Sequence, residues 1–327
     1  MDPLWALRQV AFQLERAGEP TYRVRAFRKA AEVLAALPDG EVERRVAAGT
    51  LTDLPGIGKA TAGVITDAVA GREPDYLSRF REPVVGGQAL RALLKGDCHT
   101  HSDWSDGGSP IREMAETARG LGHSWMVLTD HSPRLTVANG LSADRLLAQL
   151  DVVAELNAEL APFRILTGIE VDILDDGALD QRPELLERLD LVVASVHSKL
   201  RMAAPEMTRR MVAAVSNPHV DVLGHCTGRL VVGKGRPEST FDAEAVFSAC
   251  VEHRTAVEIN SRPERRDPPG RLLRLAVELG CSFAIDSDAH APGQLDWLSF
   301  GCERAEECGV TPDRVINTLE AAELLSR

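Results

Sequence analysis

The chain has no hydrophobic run approaching the roughly 18 residues that a membrane-spanning helix requires, so no part of it is expected in a bilayer. Its start, Met1-Asp2-Pro3-Leu4-Trp5, lacks a basic region followed by an apolar core, and no secretory signal is expected there. Six cysteines are scattered without one Cys-x-x-Cys pair or the density of a disulfide framework, which suits a reduced, cytoplasmic setting. No Walker loop and no Ser-His-Asp set stands out to compete for a catalytic role. Excess positive charge is missing as well: the net charge is −12, which argues against a protein that coats nucleic acid. That charge is uneven. Residues 1–82 hold 12 basic and 12 acidic groups, and residues 83–327 hold 25 and 37. Bound cations invert a local field, so the acidic part can still take a phosphate substrate.

What is present is a series of short polar motifs rich in histidine. They read Asp97-Cys98-His99-Thr100-His101, Thr129-Asp130-His131-Ser132, Gly168-Ile169-Glu170-Val171-Asp172, Ser195-Val196-His197-Ser198, Gly224-His225 and Asp286-Ser287-Asp288-Ala289-His290. Residues i and i+2 of an extended strand share a face, so His99/His101 and Asp288/His290 can each bite one cation. Imidazole and carboxylate together suit Zn, Mn or Fe more than Ca or Mg. A polynuclear metal centre is therefore expected. Cys98 is expected to point away from its flanking histidines and to serve packing. His123, His219 and His253 are expected to have structural or surface roles, and Asp130 and Asp172 to orient neighbouring ligands.

From residue 97 onward, strand-like runs (97–101, 125–129, 164–170, 191–196, 220–224, 256–260, 282–286) alternate with helical ones such as 143–160, 205–214 and 269–279. Seven repeats imply an α/β fold, a (β/α)7 barrel of parallel strands with its active face at their carboxyl ends. Further helical runs are expected at 303–308 and 313–325. Residues 1–82 read as a small all-α domain. Val24, Phe27, Ala31 and Leu34 form one apolar stripe, and Leu54-Pro55-Gly56-Ile57-Gly58-Lys59 is a helix-hairpin-helix pattern. Its glycines Gly56 and Gly58 leave N–H groups at a helix start free for a phosphate, beside Lys59. Such a grip reads no base sequence. Arg23, Arg25, Arg28 and Lys29 are either a second phosphate contact or the solvated face of a helix.

The amino-terminal segment resembles the lyase-type domain of family X DNA polymerases, through Tyr22-Arg23-Val24-Arg25-Ala26-Phe27-Arg28-Lys29 and residues 51–59. The stretch 60–69 has no lysine, so lyase chemistry by the family's usual lysine is not expected. Only residues 83–96 form a linker. The polymerase palm and thumb that bacterial members carry at this point are absent, so no polymerase activity is expected. The motifs of residues 97–327, with Trp104-Ser105-Asp106-Gly107 and Gly224-His225-Cys226-Thr227-Gly228-Arg229, resemble the PHP (polymerase and histidinol phosphatase) superfamily. Cys226 stands where that family usually has proline.

This resemblance implies three divalent metals, Mn or Zn with Fe as a third choice. His99, His101, Glu170 and Asp288 would hold the first, His197, His225 and Glu170 the second, and Asp106, His131 and His290 the third. Glu170, Asp288, His197 and Arg229 are the expected catalytic residues. Lys199, Arg201, Arg262 and Arg265 also follow strand ends and could neutralise phosphate. The expected reaction is phosphoester hydrolysis by a metal-bridged hydroxide. The favoured substrate is DNA, through 3′–5′ exonuclease, 3′-end or abasic-site processing, with Gly56, Gly58, Lys59, Arg25 and Arg28 on the backbone. The alternatives are a small-molecule phosphatase of the histidinol-phosphate type and a non-catalytic DNA-binding accessory protein.

Overall fold

The computed structural model of the protein describes residues 1–80 and 86–327. The chain divides into two compact units, Met1–Val84 and Val85–Arg327. Residues 81–85, which hold the end of the expected helical domain and the start of the expected linker, lie outside the described residues.

In the first unit, α1 (Pro3–Arg16), α2 (Thr21–Ala35), α3 (Glu41–Ala48) and α4 (Lys59–Val69) share one core. Asp2 starts α1 by accepting from the N–H groups of Leu4 and Trp5, which satisfies donors that have no partner within the helix. The apolar stripe of α2 is buried in the same cluster as Leu7, Val10 and Leu14 of α1. Ahead of α4 the chain turns at Gly56, whose φ of +95° lies in the left-handed region, and a Cβ there would come within 3.1 Å of Lys29 and 3.2 Å of Val33. Gly58 caps α4, its N–H donating to Thr61 Oγ1 at 2.9 Å.

The second unit is a seven-stranded sheet in the order β1-β2-β3-β4-β5-β6-β7, with every neighbouring pair parallel. The strands are β1 (Gly96–Thr100), β2 (Trp125–Leu128), β3 (Arg164–Asp172), β4 (Leu191–Ser195), β5 (Val222–Leu223), β6 (Ala256–Asn260) and β7 (Phe283–Asp286). Alternate residues form two layers. Trp125, Val127, Leu166, Leu191, Val193, Val222, Ala256 and Ala284 make the inner one, while Met126, Leu128 and Ile165 pack outward with residues of the helices Ile111–Gly120 and Ala143–Leu160. This is the expected α/β barrel, with β5 cut to two residues. Gly224 follows it because a Cβ there would lie 2.3 Å from Ser195 Oγ and 2.9 Å from Val193 Cγ1.

Closure between β1 and β7 relies on side chains rather than a regular ladder. One bridge joins Thr100 to Ala289, Asp286 Oδ1 accepts from Cys98 N at 2.9 Å, and the Asn317 amide donates to Gly96 O at 3.1 Å and Ile285 O at 2.9 Å. The expected helix over 313–325 is not formed. Two short turns, Pro312–Arg314 and Ile316–Thr318, and a four-residue helix, Ala321–Leu324, replace it. Tertiary demands explain the break: Val315 bridges Phe283, Asn317 closes the seam, and Ile316 and Leu324 join the inner apolar layer. Cys98 is also corrected. Between Asp97 and Thr100, β1 carries one residue more than β2, and such an extra residue breaks alternation. Cys98 and His99 therefore both face inward, Cys98 among the inner apolar residues. Among the described residues no helix is long and apolar enough to cross a membrane.

Candidate metal centre

The upper half of the barrel interior is lined with ionisable side chains instead of aliphatic ones. His99 lies on β1 and His101 just after it, His131 follows β2, Glu170 lies on β3, His197 and His225 follow β4 and β5, and Asp288 and His290 follow β7. Glu170, fully buried, is the hub. Its Oε2 lies 3.3 Å from His99 Nε2, 3.7 Å from His101 Nε2 and 2.8 Å from His131 Nδ1. Its Oε1 lies 3.3 Å from His197 Nε2 and 3.0 Å from His225 Nε2. A second focus forms where Asp106 Oδ1 lies 3.3 Å from His290 Nε2 and 3.6 Å from His131 Nε2. Asp288 Oδ1 is 3.5 Å from His101 Nε2 and 3.6 Å from His290 Nδ1. Asp288 itself has a φ of +52°, a strained backbone for a residue other than glycine and one that tends to mark functional sites.

All nine sequence-derived ligand candidates thus converge. Three sets have ligand atoms within 4.8 Å of one another: His99, His101 and Glu170; His131, Glu170 and His197; and His101, Asp106, His131 and His290. His101, His131 and Glu170 belong to two sets each, so the clusters overlap more than a tidy division by metal suggests.

Metals fit this donor set. His99 Nε2, both nitrogens of His101, His131 Nδ1, His197 Nε2 and Glu170 Oε2 are buried without a hydrogen bond. A buried polar atom left so costs about 1–3 kcal/mol, and here several lone pairs face a common space. Burial and the nearby His290 and His131 hold the His101 pKa well below its ordinary value, and burial with Arg265 lowers that of His225. Neutral imidazole is the ligating form. In spite of burial, Glu170 and Glu258 raise the His99 pKa well above its ordinary value, and Glu170 and Asp172 raise that of His197 to about 9, so a cation binding there displaces protons. Burial would raise the Glu170 and Asp288 carboxyls. Histidines 99, 131 and 197 instead hold Glu170 well below the usual range, and Arg265 and His101 do the same for Asp288.

Supporting hydrogen bonds steady these ligands. Asp172 Oδ1 sits 3.2 Å from His197 Nδ1. Asp130 accepts from Ser102 N at 2.8 Å, Ser105 Oγ at 2.5 Å and Gln149 Nε2 at 2.7 Å, which fixes the loop carrying Asp106. Sequence reasoning passed over Glu258, which is fully buried with Oε1 2.6 Å from His99 Nδ1. The signal was there: Glu258 and Asn260 are polar at i and i+2 in the otherwise apolar Ala256-Val257-Glu258-Ile259-Asn260.

The arginines sort differently from expectation. Arg265 Nε is 3.0 Å from Asp288 Oδ2, and Arg262 Nη1 is 3.3 Å from His290 Nδ1. Arg229 instead donates to the backbone carbonyls of Arg265 and Arg266 and faces Glu238. It braces the turn that carries Arg265, and its donors point at backbone rather than at the ligand cluster. Lys199 pairs with Asp175. His123 is bonded by Arg91 at 2.9 Å ahead of β2, and burial pushes it down to about 3. In the helical unit Lys59 and Arg25 are exposed. Arg28 is not offered to solvent as expected: its Nε lies 2.7 Å from the buried Glu15 Oε1.

Residues 1–73 match the helix-hairpin-helix domain family and residues 97–262 the PHP domain family. The chain is 39% identical over 248 residues to the DNA polymerase/3′-5′ exonuclease PolX of Bacillus subtilis (strain 168), an alignment covering 76% of this chain and 42% of that protein. It therefore spans less than half of that relative's length. A probable phosphatase of Thermoanaerobacter sp. (strain X514) is 30% identical over 233 residues, 68% of this chain and 89% of the relative. A solved histidinol phosphate phosphatase of Lactococcus lactis, complexed with zinc, L-histidinol and phosphate, superposes with a TM-score of 0.49 at 19% identity, over 67% of this chain and 95% of that one. With a PHP match over half its length and a relative matched almost end to end, the chain belongs to the PHP family, as a metal-dependent phosphoesterase that also carries a helix-hairpin-helix domain.

Proposed function

We propose that this phosphoesterase acts on DNA, as a 3′–5′ exonuclease or 3′-end processing enzyme whose helical unit holds the duplex backbone. The observation that carries the proposal is the joint presence, in one chain, of a helix-hairpin-helix domain and a PHP barrel in which seven histidines and acids gather in three metal-sized groups. The match to PolX of Bacillus subtilis supports the same pairing of substrate and reaction.

Three divalent ions, Mn or Zn, would be held by His99, His101, Glu170 and Asp288; by His197, His225 and Glu170; and by Asp106, His131 and His290. When bound they would acidify water and neutralise phosphoryl charge. The protein's part is to hold the geometry. Glu170 presents one oxygen to each side of the cluster, and Asp172 and Asp130 keep His197 and the Asp106 loop from turning away. Arg265 and Arg262, beside Asp288 and His290, are placed to hold the phosphate's remaining charge. Arg229 serves them by bracing their turn. In the helical unit the first-turn N–H groups of α4 take a backbone phosphate, with Lys59 and Arg25 adding charge.

A second reading, hydrolysis of small phosphomonoesters, is favoured by the probable phosphatase of which the chain covers 89%. End-labelled DNA with a recessed 3′ end decides between them, using metal-stripped protein reconstituted with Mn beside a His197→Ala control. Stepwise shortening by the parent protein alone supports the nuclease. No shortening with metals confirmed bound moves the activity to small phosphoesters.

A further inference from the structure

Glu258 is a carboxylate buried at 0% exposure in the middle of β6. Val257 and Ile259 pack outward and Ala256 inward, so Glu258 points into the barrel. Both of its oxygens are engaged. Oε1 lies 2.6 Å from His99 Nδ1. Oε2 accepts the backbone N–H of His225 and, at 3.2 Å, the amide of Asn260. The same Asn260 nitrogen lies 3.2 Å from Asp288 Oδ2. One side chain thus reaches ligand-bearing segments of β1 and β5 and, through Asn260, the segment after β7.

We propose that Glu258 is a positioning residue for the metal centre: it fixes His99 as the Nδ1–H tautomer, so that the Nε2 lone pair faces Glu170. A carboxylate oxygen is the acceptor in so short a contact, so His99 carries a proton on Nδ1, 2.6 Å from Glu258 Oε1. Nε2 is then the nitrogen left for a cation, and it lies 3.3 Å from Glu170 Oε2 without a hydrogen bond. Ligating histidines gain orientation and basicity from such a partner. The proposal rests on the metal-centre reading and adds a residue to it that no motif contains.

The near-isosteric change Glu258→Gln separates this role from mere filling of space. Two donors converge on Oε2 and one on Oε1. An amide has a single oxygen, which turns to the two donors and leaves its NH2 against His99 Nδ1. That clash is relieved when His99 moves its proton to Nε2, which removes the ligating lone pair. A side chain that only filled volume would leave the tautomer unchanged.

The experiment is a long-range proton–nitrogen correlation spectrum of 15N-histidine-labelled, zinc-loaded protein, with His99 assigned by its absence from His99→Gln. Zinc affinity is read in parallel by competition with a chromophoric chelator. The expected result is a protonated Nδ1 on His99 in the unaltered protein. In Glu258→Gln, zinc binding weakens by roughly 10–100-fold and the proton moves to Nε2. A proton on His99 Nε2 in the unaltered protein overturns the proposal, and does so even when the variant fails to fold. Unchanged tautomer and zinc affinity in a folded Glu258→Gln overturn it too. No DNA is present, so a failure of the nuclease reading leaves these readouts intact. An unaltered protein that takes up no zinc overturns the metal centre itself, and the role of Glu258 with it.

Discussion

The two units of this chain treat polar groups in opposite ways. Among the described residues of the helical unit, the buried polar side chains are Glu15, which meets Arg28, and Thr61, which caps α4. Lys59 and Arg25, which the proposed reading assigns to the DNA backbone, lie exposed. In the barrel, Glu170, Glu258, Asp97, Asp130, Asp172, Asp286, Asp288 and four ligand histidines are almost wholly buried. A grip on a phosphate backbone uses peptide N–H groups and charge at the surface, and can lose one contact cheaply. Chemistry on a phosphoester needs fixed donors in a water-poor pocket, where each loss is felt in full. One unit should therefore tolerate substitution and the other should not.

The largest expected effect tests the intolerant side. His131 lies between Glu170 and Asp106, so His131→Ala disturbs both foci at once. Hydrolysis of bis-p-nitrophenyl phosphate should fall by roughly a hundredfold or more, while retention of duplex DNA on a gel at low salt stays unchanged. Equal loss of both would break the division of labour. Removing residues 1–80 is the reverse experiment. The apolar clusters of the barrel contain no residue from that unit, so the barrel should fold and keep its turnover of the small diester within about twofold, while DNA affinity drops by at least ~1.4 kcal/mol, or tenfold. Undiminished DNA cleavage by the truncated protein would leave the helical unit without its assigned task.

Legibility follows the same line. The nine ligand candidates could be read from sequence because histidines and acids at strand ends, some in period-2 pairs, have few other uses. Glu258 escaped because it sits inside a strand and acts on His99 across the barrel, a contact of 159 positions in sequence. Cys98 packs in the apolar core as expected, but its direction is not legible, because an extra residue in β1 is invisible to a rule of strict alternation. The tail over 313–325 has helical composition, yet bridging to β7 and filling the barrel floor outweigh that propensity. Arg28 looked like a surface cation because Glu15, its partner, lies on another helix. Patterns fixed by local geometry or by metal chemistry could be seen, and contacts made only by closure of the fold could not.

Within the helical unit the hairpin glycine should matter more than any side chain. Gly56→Ala places a Cβ at φ +95° and within 3.2 Å of Lys29 and Val33. It should cost this unit about 1 kcal/mol or more, seen as a lower melting temperature of the isolated residues 1–80, whose own apolar core supports folding alone. DNA retention should weaken with it, and diester hydrolysis by the full chain should not change. A fall in hydrolysis would mean that the metal centre depends on the hairpin and that the two units do not divide the work.

The smallest expected effect is the sharpest about how the grip works. Lys59 begins α4 and is exposed, so its replacement by alanine leaves the peptide N–H groups of the first turn in place and removes one charge. If the unit holds phosphates, DNA affinity should fall only a few-fold, equally for every sequence. The slope of log affinity against log salt should become shallower by about 1. A loss that depended on base sequence would replace backbone holding with base reading. An unchanged slope would leave the peptide groups and Arg25 to carry the contact, because a side chain that neutralises no phosphate releases no counterion when it is removed.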